Sequence, residues 1–297
     1  MKRKVTSVMR LKRLALLLVV PLFALGVAAC GSDDSDTIKI GVADASESYW
    51  NVFTQKASDE GIDVELVNFT DYNQPNPALA EGELQLNEFQ HLLYLATYNA
   101  KNNQSLVPIG ATAVYPLPLY STKHTSVDQI PQGGSVVIPN DPTNQARGLL
   151  VLAQAGLISL KNGGSAFSTL ADIDEAASKV KVTAVDAGQT AQSLDSVDAA
   201  IVNNNYATSA NLGADKVIAQ DDPNSDIAKP YINAFVAREQ DKDNADYLKL
   251  AEIYHDPEVE AAAKKDLGDS GVFKTNPPTE LQELTKELEA QVDTSGA

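Results

Sequence analysis

Two short segments with apolar residues at every second position, joined by one with helical spacing, commit the start of the folded body to a strand–helix–strand unit. Ile38, Ile40 and Val42 alternate along the first segment, and Ile62, Val64 and Leu66 along the second. Period two places each set on one face of a strand. Between them Trp50, Phe53 and Ala57 recur at helical spacing and Gly61 follows as a stop. The two strands are therefore expected to run parallel, which points to an α/β fold.

The alternation continues in two blocks. Leu84 to Phe89 leads into an expected helix from about 89 to 102, and Leu106 to Tyr120 is apolar but broken by Pro108, Pro116 and Pro118. Prolines lack the ladder donor, so this stretch is not expected to form a central strand throughout. After the turn at Gln132-Gly133-Gly134 the pattern restarts, with strands at 135–138, 180–185 and 199–202 and a helix over 143–155. That restart suggests a second α/β lobe. Tyr231 to Ala237 reads as a further strand, and helices follow to the end. In the last of these Leu281, Leu284, Leu288 and Val292 share a face, and Thr279 with Gln282 has capping-box spacing. Gly163-Gly164 and Asp221-Asp222-Pro223 mark loops.

The chain of 297 residues is long enough for two domains with cores of their own. Its first thirteen positions hold six basic residues, Lys2, Arg3, Lys4, Arg10, Lys12 and Arg13. From residue 30 onward 17 basic residues face 40 acidic ones, a balance of −23, which excludes binding to a phosphate backbone. Residues 14–29 form a chargeless apolar run interrupted by Pro21 and Gly26, shorter than the ~20 residues of a spanning helix. Basic start, short apolar run and small residues before a break make a secretory signal over 1–29. Val27-Ala28-Ala29-Cys30-Gly31 resembles a bacterial lipobox, whose cysteine is acylated, palmitate being one such chain, and becomes the new N-terminus. An ordinary signal peptide or an uncleaved anchor is the alternative. Cys30 is the sole cysteine, which rules out an intrachain disulfide. Residues 30–36 are polar and charged and read as a flexible tether.

Enzyme signatures are absent. There is no G-x-S-x-G elbow, no phosphate-binding loop, no H-E-x-x-H zinc helix and no G-x-G-x-x-G cofactor fingerprint. Histidines occur only at 91, 124 and 255, which disfavours a metal site built of several imidazoles.

Three segments carry a resemblance: Asn68 to Asn76, Asn87-Glu88-Phe89-Gln90-His91 with Tyr94, and Pro139 to Arg147. They are similar, in order and spacing, to the methionine-binding lipoproteins of ABC importers, the NLPA type. Val202-Asn203-Asn204-Asn205-Tyr206-Ala207 is a fourth such segment, and the similarity runs from Ile38 to about Asp266. Three places depart from the family pattern: Glu88 replaces a small residue, Leu92-Leu93 stands where a proline commonly precedes the tyrosine, and 45–48 differs in the first loop.

The resemblance implies a two-lobed periplasmic-binding-protein fold of type II with the ligand between lobes. Lobe one would be 37–117 with 234–297 and lobe two 118–233. It also implies a solute-binding protein rather than an enzyme, without a cofactor. Its partners would be methionine or a close analogue, an ABC permease with its ATPase subunits, and the outer face of the cell membrane through lipid on Cys30. Another apolar amino acid, a methionine-containing dipeptide, a surface hydrolase of a carboxylated substrate and an adhesin-like module are the competing functions.

The site residues implied are Tyr72, Phe89, His91, Tyr94, Asn144, Arg147, Asn203 and Asn233. Asp141 or Thr143 can cap the helix carrying Arg147, which puts its free N–H groups beside a guanidinium able to bind a carboxylate bidentately. On the same residues, Arg147 also suits a solvated helix face, Asn144 a second cap and Asn203 turn chemistry. Asn233 has a backbone partner as its plain alternative. The aromatic residues would wrap the thioether, with ~0.3–1.5 kcal/mol for each sulfur–aromatic contact; each also suits ordinary core, Tyr94 above all, and a lone His91 suits a structural role.

Cys30→Ser should move the protein from the membrane fraction to the soluble one, because the thiol is the acyl acceptor and one lipid signal holds the body there. A variant that stays in the pellet would identify residues 14–29 as an uncleaved anchor.

Overall fold

In the computed structural model, which describes residues 37–268 and 271–295, the first strand–helix–strand unit forms as its spacing dictates. β1 (Ile38–Val42), α1 (Ser48–Asp59) and β2 (Val64–Asn68) follow one another, and the strands pair in parallel from Ile38 against Val64 to Val42 against Asn68. Helix α1 buries Tyr49, Trp50, Phe53 and Ala57. Its first turn is held from far along the chain, since Ser48 Oγ and Tyr49 N–H both donate to Asp266. The expected signal, Cys30 and tether, over 1–36, lie outside the described residues.

α2 (Pro75–Glu81), β3 (Leu86–Glu88) and α3 (Leu92–Asn102) come next. The helix expected from about 89 starts three residues later, because His91 is its N-cap and its Nδ1 accepts the Tyr94 N–H. The proline-broken stretch forms three short strands, β4 (Leu106–Ala111), β5 (Ala113–Val114) and β6 (Pro118–Tyr120). β4 tolerates Pro108 at a sheet edge beside a register shift. β6, by contrast, has neighbours on both sides, with Pro118 as its first residue.

The second block supplies β7 (Gly134–Pro139), α4 (Pro142–Gln154), β8 (Val180–Val185), α5 (Ala187–Ser193), β9 (Ala199–Ile201), α6 (Asn204–Ser209) and β10 (Val217–Gln220). β11 (Ala234–Arg238) is shorter than the strand expected from 231, because a 3₁₀ segment containing Pro230 runs through Tyr231. α7 (Ala245–Ile253), α8 (Pro257–Leu267), β12 (Val272–Phe273) and α9 (Pro278–Ser295) complete the described chain.

One sheet has the order β2-β1-β3-β11-β4 and the other β10-β6-β9-β7-β8. β11 is antiparallel to its neighbours in the first, and β6 in the second, while β7 is parallel to β8 and β9. Under the first sheet, Trp50 meets Phe53 edge-on at 5.2 Å and Phe53 stacks on Phe235 at 5.9 Å. Under the second, Leu149 and Leu152 of α4 pack with Ile138 and Ile201. Helix α9 buries Leu281, Leu288 and Val292 as its periodicity requires. Thr279 lies inside this helix, so the expected capping box is not its start; Gln282 Nε2 instead donates to the Pro108 carbonyl at 3.1 Å.

The contact between β4 and α7 leaves no room for a side chain at Gly110, where a Cβ would fall 2.5 Å from Ala251 Cβ. Gly110→Ala should therefore destabilise the protein by about 1–3 kcal/mol through overpacking. Its melting temperature beside that of the parent tests this; an unchanged value would show that the two elements are not in such contact.

Candidate functional site

The strand ends and the segments connecting the two sheets surround a cleft of about 780 Å³, open solvent included. All eight expected residues line it: Tyr72, Phe89, His91, Tyr94, Asn144, Arg147, Asn203 and Asn233. The sequence left each of them open to other roles, and the structure separates several of these.

Arg147 is 5% exposed, which excludes a solvated helix face. It projects from the second turn of α4 with Nε donating to Asp221 Oδ2 at 2.7 Å and Nη2 to the Tyr115 carbonyl at 2.7 Å. Its guanidinium carbon lies 4.2 Å from the Tyr231 ring centroid. Nη1 has no partner among the described residues, so the end of the fork remains for a further acceptor.

The helix N-terminus takes one of its two expected caps. Asp141, rather than Thr143, is the N-cap, and its carboxylate accepts the Asn144 N–H at 3.0 Å. Thr143 itself donates to Asp141. The Asp141 carboxylate already occupies the start of the helix, and Arg147 is the cation that the helix brings to the cleft.

Asn144 is more than a second cap. Its Nδ2 donates to Asp141 while its Oδ1 accepts Asn203 Nδ2 at 3.1 Å, joining α4 to the end of β9. Asn203 occupies the N-cap of α6 without a side-chain capping bond, so turn chemistry does not use it. Its Oδ1 is buried with no hydrogen-bond partner among the described residues. Asn233 takes its plain alternative in part, since Nδ2 donates to the Ala113 and Tyr231 carbonyls at 3.1 and 3.4 Å. It stands before β11, in an isolated bridge with His91.

His91 is 7% exposed, and burial, reinforced by the Arg147 charge, pulls its imidazole down to about 3. The ring is neutral, and because Nδ1 accepts the Tyr94 N–H, the proton belongs on Nε2. Nε2 is buried with no hydrogen-bond partner of full geometry among the described residues, the Asn144 side chain being near enough only to oppose the downward shift in part. His91 thus has a structural role on one nitrogen and a donor for the cleft on the other.

The aromatic residues form one cluster. Tyr72 lies 5.9 Å from Phe89 and 6.3 Å from Tyr94, and Phe89 lies 5.8 Å from Tyr94. Tyr94 is half-buried and its hydroxyl donates to the Tyr72 carbonyl at 3.0 Å. Tyr72 donates to Asn205 Oδ1 of α6. Asn205 Nδ2 donates in turn to the Ala43 carbonyl, and Tyr206 to the Thr70 carbonyl. Burial raises the phenols of Tyr72, Tyr94 and Tyr115 above the ordinary tyrosine range.

Sequence reasoning missed Tyr115, Asn205, Asp44 and Tyr231 as site residues. It placed Asp221 only in a loop and Glu88 only among the departures. Tyr115, Asn205 and Asp44 line the cleft, Asp221 and Tyr231 hold Arg147, and Glu88 lines the same cleft. A buried arginine needs a carboxylate, which was the available signal for Asp221; nothing in local spacing marks the others.

The NlpA lipoprotein family profile matches residues 38–275. The D-methionine-binding lipoprotein MetQ of Salmonella typhi is 39% identical over 250 residues, covering 82% of this chain and 90% of the relative. A nutrient-binding protein of Burkholderia cenocepacia, solved bound to methionine, superposes with a TM-score of 0.74 at 38% identity over 80% of this chain and 99% of its own. An ABC-transporter periplasmic substrate-binding protein of Coxiella burnetii gives 0.74 at 37% identity, over 80% and 100%.

The depressed His91 pKa has a thermodynamic consequence. Folded His91 stays neutral to about pH 3 while the unfolded residue protonates near 6.5, so its stabilisation is present above 6.5 and lost as pH falls toward 3. His91→Gln should remove a slope of up to about 1.4 kcal/mol per pH unit across that window. Denaturant unfolding from pH 7 to 4 measures it, and parallel curves for parent and variant would show that His91 is solvated.

Proposed function

We infer that this chain, which belongs to the NlpA lipoprotein family, is an extracytoplasmic, membrane-associated solute-binding protein that takes up methionine and hands it to an ABC transporter. It is a binding protein and not an enzyme. The observation that carries the ligand reading is the pair of buried polar atoms without hydrogen-bond partners among the described residues, His91 Nε2 and Asn203 Oδ1, in one cleft with the Arg147 guanidinium. A donor, an acceptor and a cation match the carboxylate and ammonium of an amino acid. Leaving such groups unsatisfied costs about 1–3 kcal/mol each, so a ligand with both is favoured.

In this reading Arg147 and His91 receive the carboxylate, Asn203 accepts from the ammonium, and Asn144 positions Asn203. Asn233 supplies its remaining oxygen. Tyr72, Phe89 and Tyr94 surround the thioether. The two sheets are the centres of two lobes, 37–117 with 234–297 and 118–233, in the manner of type II periplasmic-binding proteins. Bound ligand favours the closed arrangement by its higher affinity for it. Lipid on Cys30, after removal of 1–29, holds the body to the membrane through the tether, and the permease with its ATPase subunits receives the ligand.

Thermal shift across the twenty amino acids, with both isomers of methionine, tests this. Methionine at a hundredfold excess over its dissociation constant should add ~2.7 kcal/mol of stability, more than any other amino acid at equal concentration. Another amino acid clearly ahead would overturn the ligand. Arg147→Lys keeps a charge beside Asp221 but loses the planar fork, and should weaken methionine at least about tenfold. Arg147→Ala should weaken both binding and folding, because Asp221 is left without its partner.

A further inference from the structure

Two carboxyl groups line the ligand cleft with no cation paired to either among the described residues. Glu88 ends β3 beside Val42 of β1, and Asp44 follows β1 by two residues. Glu88 is 7% exposed, and its one hydrogen bond comes from the Thr112 hydroxyl to Oε1 at 2.8 Å. Asp44 is satisfied by neutral donors, Trp50 Nε1 on one oxygen and the Tyr49 hydroxyl on the other, both at 2.8 Å. The cation in the cleft, Arg147, already has its own carboxylate in Asp221. The lining therefore carries more acid than base, and Glu88 in particular has a free oxygen and no counter-charge. The unpartnered His91 Nε2 in the same cleft shows independently that the lining is built around something it does not itself contain.

We propose that Glu88, with Asp44 beside it, is the counter-charge for an ammonium group of the ligand. The proposal deepens the reading of the cleft as an amino-acid site and rests on it. It also gives a role to the residue that departs from the family pattern. Asn203 offers an ammonium only a neutral acceptor; a carboxylate adds charge, which excludes ligands that lack the cation. The groups facing Glu88 are Asp44 after β1, Tyr49 on α1, Tyr115 between β5 and β6, and Tyr254 after α7. None of these is basic. Burial, with the Asp44 charge adding to it, pushes the Glu88 carboxyl up to about 8, against the Thr112 hydrogen bond. An ammonium beside it restores ionisation, so binding at pH 7 should expel a proton.

The ammonium has two possible sources, the α-amino group of methionine itself or the amino end of a methionine-containing dipeptide. Three probes separate them: methionine, glycylmethionine, and 4-(methylthio)butanoate, which is methionine without its ammonium. Calorimetry of the full chain and of Glu88→Gln is the measurement, since glutamine keeps the Thr112 hydrogen bond and removes the charge. The variant should bind the ammonium-bearing ligand at least tenfold more weakly and 4-(methylthio)butanoate about equally or better. Selective loss of methionine assigns the α-ammonium, and selective loss of glycylmethionine assigns the amino end of the dipeptide; either outcome keeps the subsite. Equal effects on ligands with and without the ammonium would overturn the subsite. Repeating the parent titration at pH 7 in two buffers of different ionisation enthalpy counts the protons without any variant: proton release is expected, and proton uptake would also overturn it. Methionine failing to bind the parent, while glycylmethionine binds and releases the proton, would sink the methionine reading alone.

Discussion

The site depends on one buried ion pair. Arg147 is reached from three directions by the segments that join the two sheets: Asp221 after β10, the Tyr115 carbonyl before β6, and the Tyr231 ring before β11. Asp221 is itself committed twice, since its other oxygen accepts the Leu117 N–H at 2.7 Å. A guanidinium taken out of water must have such partners, and removing one from a buried pair costs roughly 3–5 kcal/mol. The pair therefore fixes both crossings against α4 while Arg147 lines the cleft. A lysine, with a point charge and no fork, could not meet all of these partners at once.

That arrangement explains which parts of the protein were legible in the sequence. β1, α1, β7, α4 and β8 follow from apolar periodicity, because each buries one face against a sheet or helix and the spacing records it. The exceptions are places where tertiary pairing outweighs local preference. Pro118 begins a strand with neighbours on both sides because only its first residue lacks the ladder donor, and β11 starts late because Pro230 holds the preceding segment in a 3₁₀ turn. Arg147 was legible as a candidate but not its partner, which lies 74 residues away in a loop where acidic residues are commonplace. Tyr115 contributes a backbone carbonyl, and no residue type announces that.

Asn144 and Asn233 show the same limit from the other side. Both were chosen as ligand groups, and both engage the protein with part of the amide. Asn144 bridges Asp141 to Asn203, which fixes the orientation of the Asn203 amide. Asn233 ties the start of β11 to the Ala113 carbonyl and sits beside His91. The resemblance names these amides and both line the cleft, but how their hydrogen bonds are divided is a property of the fold.

The cleft is bridged by a second set of contacts whose chemistry is milder than that of the ion pair. Tyr72 to Asn205, Asn205 to the Ala43 carbonyl and Tyr206 to the Thr70 carbonyl connect the β1 and β2 ends of one sheet to α6, which follows β9 of the other. Neutral hydrogen bonds of this kind contribute about 0.5–1.5 kcal/mol net each, because water replaces them when they part. They are strong enough to set a register between the two sides and weak enough to open. His91 Nε2 and Asn203 Oδ1 act in the opposite sense, since they are buried without a hydrogen-bond partner among the described residues. The two contributions are of similar size, so on the proposed reading the bridging bonds alone do little to favour a closed cleft. There a ligand with a carboxylate and an ammonium would remove the penalty and leave the bridging bonds in place, which would make closure conditional on the chemistry of what is inside.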